Sequence, residues 1–461
     1  MKFFIETYGC QMNVAESNAI ESALMGQGWE AAKTPEEADL AIINTCSVRK
    51  SAENRIWGRL GAYTHVKSEK AKKGEKLVLV LTGCMADRLK EEAKKEAPQI
   101  DFVIGNNDKL RILDLVNTAF ESNPEESGAE ERELKLSKTP SESSKYIFTK
   151  AYHKDGEFAS YVPIMNGCNN FCSYCIVPYV RGREVSRPVE EILQEIKELD
   201  KLGVREITLL GQNVNSYDYN KINFPQLLTE ICRECDKTQG NIQWIRFESP
   251  HPKDFSDELI DVIAKEPKIA KHLHIPMQSG NTRILELMNR RYSREKYLDL
   301  IQKIKDRVPE VTFALDVMVG FPTETEEEFQ ETISAMEQVG CIEAYMYYWN
   351  SREGTRAATM EGQLSDSEKQ QRLQKLIDWQ LANAAKIKAT RAHGVQKVLV
   401  TQVSRDNKNQ MLGRNEHGEM VAFNVLKNDP TNVPNQNLKP GDLVNVEFKF
   451  LNGNTFVGTQ V

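Results

Sequence analysis

Short apolar runs alternate with amphipathic stretches along the first 120 residues, which is the pattern of an α/β domain. The predicted strands are KFFIETY, ADLAIINT, KLVLVLTG and IDFVIG. The predicted helices start near Asn13, Ala52, Asp87 and Lys109. Asn13 followed by Glu16 has the form of a helix N-cap with a carboxylate three residues later. We therefore expect a doubly wound parallel sheet over residues 1–120.

The central part of the chain, 149–385, repeats a strand followed by a helix about six times. Its predicted strands are YVPIMNG, REITLLG, IQWIRFE, KHLHIPM, TFALDVMVG and IEAYMYYW. Consecutive right-handed βα units close, or partly close, into a barrel whose working residues lie at the carboxyl ends of the strands. Six units predict an open, partial barrel. After the helical pattern of PVEEILQEIKELDKLG, Gly203 has the position of a helix-ending glycine.

The remaining segments differ in composition. Glu, Ser and Lys dominate ESNPEESGAEERELKLSKTPSESSK, which predicts a mobile linker over 121–148. An amphipathic stretch from Ser365 to about Arg391 ends the central part, and 386–461 then consists of short alternating strands with Gly and Asn turns. This predicts a small antiparallel β-barrel, a fold that frequently binds nucleic acid but does not establish binding by itself.

Length and composition narrow the class of protein. A chain of 461 residues exceeds what one hydrophobic core usually supports, so we expect several domains. No stretch approaches the roughly 18 apolar residues of a membrane span, and we expect a cytosolic protein. Nine cysteines, an odd number without a secretory signal, favour metal or redox chemistry over disulfides. The net charge is −7, but Lys386–Val461 carries +4 and the rest −11, a weak indication of a polyanionic partner.

Each of the first three predicted strands is followed by a cysteine: Cys10 in YGCQMN, Cys46 in NTCSVR and Cys84 in TGCMAD. In a parallel sheet the carboxyl ends of neighbouring strands lie along one edge, where ligands bind. We expect these three thiols to converge there and hold a metal. The alternative is three small buried cysteines, which are common in protein cores.

A second group of cysteines, Cys168, Cys172 and Cys175, stands as C-x-x-x-C-x-x-C in NGCNNFCSYC. A structural zinc site requires four protein ligands, and no fourth Cys or His lies near. Three thiolates on a four-iron cluster leave one iron without a protein ligand. That iron can chelate the amino and carboxylate groups of S-adenosylmethionine, which an electron then cleaves to a 5′-deoxyadenosyl radical. Tyr174 is the aromatic ring expected against the adenine.

The cysteine triplet, together with YGCQMN, NTCSVR, GCMADR, LLGQNVNSY, PMQSGNTRILELMNRRY and DVMVGFPTETEEEF, closely resembles the methylthiotransferase family of the radical-SAM superfamily. The resemblance extends over essentially the whole chain, including the linker and a C-terminal TRAM domain. GCQMN, NTCSVR and GCMA resemble the tRNA-modifying, MiaB-type branch. One departure is RFESPHP, where Glu248 and Pro250 replace the residues that the family usually has.

The resemblance implies two 4Fe-4S clusters, a radical-generating one on Cys168, Cys172 and Cys175 and an auxiliary one on the three earlier cysteines. The implied substrate is the isopentenylated adenosine next to the anticodon of certain tRNAs, whose carbon two receives a methylthio group. Of two S-adenosylmethionine molecules consumed, one donates a methyl group and one is the radical source. The implied partners are the tRNA anticodon stem-loop and an electron donor such as a flavodoxin or ferredoxin.

Further residues are candidates for binding. Expected contacts to S-adenosylmethionine, besides Tyr174, are Gln212, Asn213, Glu248, Gln278, Arg291 and Asp316. Expected RNA contacts are Arg181, Arg183 and Arg187 after the cysteine loop, and Lys397, Arg405, Lys408, Arg414 and the stacking ring of Phe423 in the tail. The alternative for the first three arginines is pairing with nearby acids. Cys232 and Cys235 form a C-x-x-C that is either a redox pair or two spare thiols.

Two other functions remain open from the sequence. One is a related methylthiotransferase that acts on threonylcarbamoylated adenosine in tRNA or on a ribosomal protein. The other is an RNA-binding protein without catalysis, whose cysteines hold structural metal.

Overall fold

The computed structural model describes residues 1–47, 50–114, 148, 156–238, 240–405, 407, 410–425 and 438–461. The predicted linker, 121–148, lies outside these residues apart from Phe148. The described residues form two compact units. The first comprises the described part of 1–152 with Asn166–Asn169 and Cys175–Val185; the second comprises the described part of 153–165 with Asn170–Tyr174 and Ser186–Val461. The predicted domain boundaries at 120, 148 and 385 stay predictions.

The secondary structure comprises strands β1–β20, α-helices and short 3₁₀ segments. The strands are β1 Lys2–Thr7, β2 Glu30–Ala31, β3 Leu40–Thr45, β4 Val78–Gly83, β5 Phe102–Ile104, β6 Ala159–Pro163, β7 Met165–Asn166, β8 Val185–Ser186, β9 Glu206–Leu210, β10 Asp218–Tyr219, β11 Ile222–Asn223, β12 Trp244–Phe247, β13 His272–His274, β14 Thr312–Val319, β15 Glu343–Tyr348, β16 Val395–Val403, β17 Gln410–Asn415, β18 Met420–Asn424, β19 Leu443–Asn452 and β20 Thr455–Gln460. The α-helices span Gln11–Gly26, Lys50–Lys72, Cys84–Leu89, Glu92–Glu96, Val177–Val180, Val189–Lys201, Phe224–Lys237, Asp257–Lys265, Thr282–Leu287, Arg294–Arg307, Glu326–Val339 and Asp366–Ala389. The 3₁₀ segments are Asn106–Arg111, Val214–Ser216, Pro252–Asp254 and Arg356–Thr359.

A five-stranded parallel sheet organises the first unit, in the order β2-β1-β3-β4-β5. Successive residues of a strand point to opposite faces, so the apolar residues at the first four positions of β3 and of β4 cover both faces. On one face Ile43 and Leu81 pack with the helix Lys50–Lys72, and on the other Ile42 and Val80 pack with the helix Gln11–Gly26. The predicted doubly wound sheet is confirmed.

The predicted capping box at Asn13 and Glu16 is wrong. The first helix begins at Gln11 with Cys10 as its N-cap. Asn13 is buried inside the helix, where its side chain donates to Thr45 O at 2.8 Å and to Asn44 Oδ1 at 3.1 Å. Tertiary partners therefore override the local capping pattern.

Six parallel strands of the second unit form two sheets in chain order, β6-β9-β12 and β13-β14-β15. Backbone hydrogen bonds from Ile245 N to Lys268 O (2.7 Å) and from Ala270 N to Ile245 O (3.0 Å) connect the last strand of the first sheet to the segment entering β13. The α/β pattern predicted for an open six-unit barrel is confirmed. Gly203 has the predicted helix-ending role, with a positive φ of 85° just after the helix Val189–Lys201.

The C-terminal strands close a five-stranded barrel in the order β16-β17-β18-β20-β19. Its core includes Val398, Met411, Phe423 and Phe456. Its strands are antiparallel except β18 and β20, which run parallel, so the predicted all-antiparallel barrel needs this correction. β19 follows β18 in the chain but does not pair with it. Instead β19 pairs antiparallel with β16 and β20, and β20 then lies parallel to β18.

This C-terminal barrel packs against the amino ends of the parallel strands in the second unit. Arg414 Nη2 lies 2.6 Å from a carboxylate oxygen of Glu206, the first residue of β9. Lys271 N, directly before β13, donates to Glu416 Oε1 at 3.0 Å. The face opposite to the carboxyl ends of these strands is therefore covered. None of the described helices is long and apolar enough to cross a membrane.

Candidate metal and cofactor sites

Three cysteines of the first unit lie at one edge of its sheet. Cys46 and Cys84 directly follow β3 and β4, and Cys10 lies three residues after β1. These strands are adjacent and parallel, so their carboxyl ends meet at that edge, as the sequence predicts. Cys46 and Cys84 are each 4% exposed, whereas Cys10 is exposed.

Close backbone approach shapes this edge. Gly83 has a φ of 96°, and a Cβ atom there would overlap Thr45 O at the end of β3. Asn13 accepts a hydrogen bond from Cys10 Sγ at 3.3 Å and donates to the same Thr45 carbonyl. The turns that carry the cysteines are therefore tied to one another.

The buried thiol of Cys84 has polar neighbours. Burial raises its pKa, while the nearby guanidinium of Arg181 opposes that shift. Asn106 Nδ2 lies 3.8 Å from Cys84 Sγ and donates. The cation therefore partly offsets the effect of burial on this thiol.

The three cysteines offer the type of ligand that holds iron–sulfur clusters, since such clusters are bound by Cys thiolates. Within the described ranges, no three or more His, Cys, Asp or Glu side chains are grouped so that they could hold one metal ion. A cluster places each thiolate on a different iron, so its cysteines need not meet at one point. Three cysteines on three neighbouring strand ends fit that requirement.

Two cysteines of the second group, Cys168 and Cys175, belong to the first compact unit. Cys168 N donates to Gly182 O at 3.1 Å. Gly167 has a φ of 82°, and a Cβ atom there would overlap Arg183 O, so only glycine permits this close approach. The segment after Cys175 thus folds back onto the residues before Cys168.

The third cysteine of this group, Cys172, lies in the second unit, where Arg290 Nη1 donates to its Sγ at 3.4 Å. Ser173 N donates to Met288 O at 3.0 Å, and Asn289 Nδ2 donates to Phe171 O at 2.9 Å. The MNR segment of the motif PMQSGNTRILELMNRRY, Met288 to Arg290, therefore holds this half of the loop. A buried cation therefore lies against the sulfur of Cys172.

Sequence reasoning chose Arg291 as a cofactor contact, but Arg290 is the residue that contacts a cysteine. Asn289 and Arg291 both have positive φ angles, 58° and 60°, and Arg291 is exposed while Arg290 is buried. Arg290 Nη2 also donates to Pro276 O at 3.1 Å. Adjacent arginines give no signal in sequence that distinguishes the inward one.

Most of the predicted cofactor residues lie at carboxyl ends of strands in the second unit. Gln212 and Asn213 follow β9, Glu248 directly follows β12, and Gln278 follows β13. Asn213 Nδ2 donates to Asp254 Oδ2 at 3.1 Å. Gln278 extends the pairing with β14, since its N donates to Asp316 O at 2.8 Å.

Tyr174 is half-buried and packs against an apolar cluster that contains Met288 and Trp349. Asp316 lies in the middle of β14 rather than at its end. The predicted cofactor contacts of both residues stay predictions.

One titratable group that sequence reasoning missed is His274, the last residue of β13. Its Nε2 lies 3.2 Å from Asp316 Oδ2, and its ring packs edge-on against Tyr345 with centroids 5.5 Å apart. Burial opposes the charged imidazole, but Asp316 raises the pKa of His274 overall. Burial and the charge of Asp316 raise the pKa of Glu248, and His274 partly offsets this increase. Alternation of His272 and His274 in KHLHIPM is the signal that they share one face.

Several predicted RNA contacts are structural residues instead. Arg181 pairs with Glu16, and Arg187 with Glu195, and both guanidinium groups are buried. The alternative of acid pairing is therefore the correct one for these two, although with other acids than the neighbouring Glu184 and Glu190.

In the tail, Phe423 is fully buried in the barrel core and has no face available for stacking on a base. Arg414 pairs with Glu206. Arg183, Lys397 and Arg405 are exposed, and Lys408 lies outside the described residues.

Cys232 and Cys235 are buried on the inner face of the helix Phe224–Lys237, at 1% and 0% exposure. Burial raises the pKa of both thiols, to about 12 for Cys235. The geometry matches inert core thiols and not a redox pair.

A partial barrel of parallel strands with a three-cysteine loop defines the class of radical-SAM enzymes. Residues 162–336 match the sequence model of the radical SAM superfamily, and residues 2–105 match a family described as uncharacterized protein family UPF0004. A similar solved structure is that of TsrM from Kitasatospora setae, a radical S-adenosylmethionine methyltransferase with cobalamin and a [4Fe-4S] cluster bound. The TM-score is 0.56 at 14% identity, and the match covers 77% of each chain. At this identity the likeness concerns the fold.

Curated relatives identify the family. A tRNA-2-methylthio-N(6)-dimethylallyladenosine synthase of Treponema denticola is 45% identical over 99% of both chains. Proteins of the same name from Fusobacterium nucleatum subsp. nucleatum and Bacteroides fragilis are 41% and 39% identical, covering 92% and 100% of this chain and 93% and 96% of theirs. The chain belongs to the family of tRNA-2-methylthio-N(6)-dimethylallyladenosine synthases.

Proposed function

We propose that this chain is a tRNA methylthiotransferase that replaces the hydrogen on carbon two of N-isopentenyladenosine, next to the anticodon, with a methylthio group. The reaction consumes two S-adenosylmethionine molecules. The observation that carries the proposal is the pair of three-cysteine groups, one after strands of the N-terminal parallel sheet and one in the loop that follows β7, in a chain 45% identical to a synthase of that name.

Each cysteine group has its own role in this proposal. Cys168, Cys172 and Cys175 hold a 4Fe-4S cluster that, with S-adenosylmethionine bound, supplies the radical that opens an unreactive aromatic C–H bond. The three cysteines at the sheet edge hold a second, auxiliary cluster, at which the sulfur is presented. The chain itself provides the thiolates and the hydrogen-bond donors around them. Arg290 donates to the sulfur of Cys172, and Asn106 donates to the sulfur of Cys84.

The binding of S-adenosylmethionine is proposed at the carboxyl ends of the barrel strands. Gln212, Glu248 and Gln278 lie at these ends, and Tyr174 offers an aromatic ring beside the loop. His274 and Asp316 form a partly buried polar pair close to Glu248, so the barrel interior can accept hydrogen bonds from a polar ligand.

RNA binding is proposed for the exposed cations Arg183, Lys397 and Arg405. Phosphate contacts of this kind position the RNA without reading its sequence. A TRAM role for the C-terminal barrel, a flavodoxin or ferredoxin as electron donor, and a cytoplasmic location complete the proposal. All three follow from the family and from a tRNA substrate.

Mass spectrometry of tRNA nucleosides from cells that lack this gene tests the function. We expect loss of the methylthio group with retention of the isopentenyl precursor, and restoration by the intact gene. Unchanged tRNA rejects the proposal, and loss of a methylthio group from threonylcarbamoyladenosine selects the related enzyme instead.

Anaerobic reconstitution tests the two clusters. We expect about eight irons per chain, falling to about four when Cys168, Cys172 and Cys175 are changed to Ala. The matched control changes the buried Cys232 and Cys235 to Ala and keeps the iron content. One zinc per chain, without cleavage of S-adenosylmethionine, contradicts the enzyme and supports a structural-metal protein.

A further inference from the structure

One buried guanidinium in the first compact unit contacts segments that carry both cysteine groups. Arg181 Nη1 donates to Glu16 Oε1 at 2.9 Å and to Asn166 Oδ1 at 3.0 Å, and Nη2 donates to Glu16 Oε2 at 3.2 Å. Glu16 lies on the helix whose N-cap is Cys10, and Asn166 lies two residues before Cys168. Arg181 therefore connects the start of the cysteine loop to the helix at the sheet edge.

A second connection joins the same two regions. Asn106 Nδ2 donates to Cys84 Sγ and, at 3.3 Å, to Val180 O, the residue before Arg181. The side chains of Cys84, Ile176 and Val180 also form a small buried cluster. The residues after Cys175 thus pack directly on a cysteine of the sheet edge.

The ion pair is fully enclosed. The side chains of Arg181 and Glu16 are 2% and 4% exposed, and Lys109 also pairs with Glu16. Burial raises the pKa of Glu16, but Arg181 and Lys109 lower it by more, so that the resulting pKa is about 2. Buried ion pairs seldom add stability over apolar packing, so their best-supported use is to fix one geometry. The bidentate fork of an arginine is suited to that use.

We propose that Arg181 is a positioning residue that sets the spacing between the sheet-edge cysteines and the loop carrying Cys168 and Cys175. This inference rests on the proposed function, because only a reaction that uses both cysteine groups on one substrate needs a fixed spacing. Sulfur and radical must reach the same adenine carbon. A displacement of about 1 Å lowers the rate of such a step on the order of 100-fold.

The test uses the full chain with reconstituted clusters and the substitution Arg181→Met. Glu16 keeps Lys109 as a partner, so no charge is left unpaired by the change. We expect unchanged iron per chain and an altered magnetic interaction between the two reduced clusters in electron paramagnetic resonance. The yield of 5′-deoxyadenosine per methylthio product is expected to rise by roughly 10- to 100-fold. Arg181→Lys, which keeps the charge but loses the fork, is expected to give an intermediate value.

The matched control is Arg246→Met. Arg246 also shares a buried carboxylate, Glu206, with a second cation, Arg414, but this carboxylate is at the amino end of β9. We expect wild-type cluster interaction and a wild-type product ratio for this variant.

The inference is overturned if Arg181→Met keeps its iron and shows both the wild-type product ratio and the wild-type spectrum. If that variant loses iron, the same two measurements on Arg181→Lys decide. Failure of the proposed function is distinguishable, since the wild-type protein then makes no methylthio product.

Discussion

The ion pair between Arg414 and Glu206 fastens the C-terminal barrel to the amino end of β9, so Arg414→Met is expected to weaken that attachment. The Glu206 side chain is 3% exposed and that of Arg414 is 31% exposed, with 2.6 Å between the charged atoms. Arg246 Nε donates to the other oxygen of Glu206 at 2.9 Å. The carboxylate therefore keeps one cation after the substitution.

The magnitude follows from this partial burial. Exposed ion pairs contribute about 0–1 kcal/mol, whereas breaking a buried pair costs about 3–5 kcal/mol. Because Glu206 is buried but retains Arg246, we expect a loss of about 1–2 kcal/mol in the free energy of unfolding. That loss is large enough to measure by urea denaturation.

The assay is a double-mutant cycle in the apoprotein with Arg414→Met, Glu206→Gln and both changes together. The loss in the double variant is expected to differ from the sum of the single losses, because the two side chains are in contact. Binding of tRNA is measured in parallel over a range of salt concentrations. We expect Arg414→Met to leave the salt dependence unchanged and the control Arg405→Met to weaken binding without loss of stability. Unchanged stability of Arg414→Met, with a weaker salt dependence of tRNA binding, refutes the reasoning and restores Arg414 as a phosphate contact.

Three further outcomes are expected. Burial lowers the pKa of His417, whose ring lies 3.1 Å from Thr312 Oγ1, to about 3, so its contribution to stability is complete above pH 6.5 and is lost as the pH falls. Denaturation of the apoprotein is expected to show a free energy of unfolding about 2 kcal/mol lower at pH 5 than at pH 8. A His417→Gln variant with the same pH dependence contradicts this. Phe423→Ala is expected to cost about 3–5 kcal/mol of unfolding free energy, whereas a folded Phe423→Leu keeps its tRNA affinity; weaker binding by the Leu variant argues for stacking. Cys232 and Cys235 are expected to resist iodoacetamide in the folded apoprotein and to react after unfolding, and rapid labelling of the native chain argues against burial.

The longer strands of the parallel sheets were predictable because they are largely apolar runs bounded by polar or glycine residues, whereas two-residue strands such as β2 and β10 have no such pattern. β3 and β4 are buried on both faces, so their signal is continuous and lies within two residues of the observed bounds. The sheet edge that carries the three cysteines followed from strand order alone. Features that a local pattern determines, such as the strands and this sheet edge, could therefore be predicted from the sequence.

The contacts of charged residues were not predictable in the same way. A sequence shows that Arg181 and Arg414 are cations, but not that each faces a buried carboxylate more than 100 positions away. Asn13 and Glu16 have a capping pattern, yet both are used by tertiary partners. Phe423 lies in a strand where either face was possible without knowledge of the register.

The ion pair of Glu16 and Arg181 also has a consequence for inheritance. Loss of Glu16 leaves the two buried cations Arg181 and Lys109 without their shared carboxylate, so relatives that keep Arg181 are expected to keep an acid at position 16. Exchanging the N-terminal sheet between two family members, with a junction in the region 121–148, separates these partners. Such a hybrid is expected to be active only when both parent proteins carry the same ion pair. The residues at positions 16 and 181 are therefore expected to be inherited together.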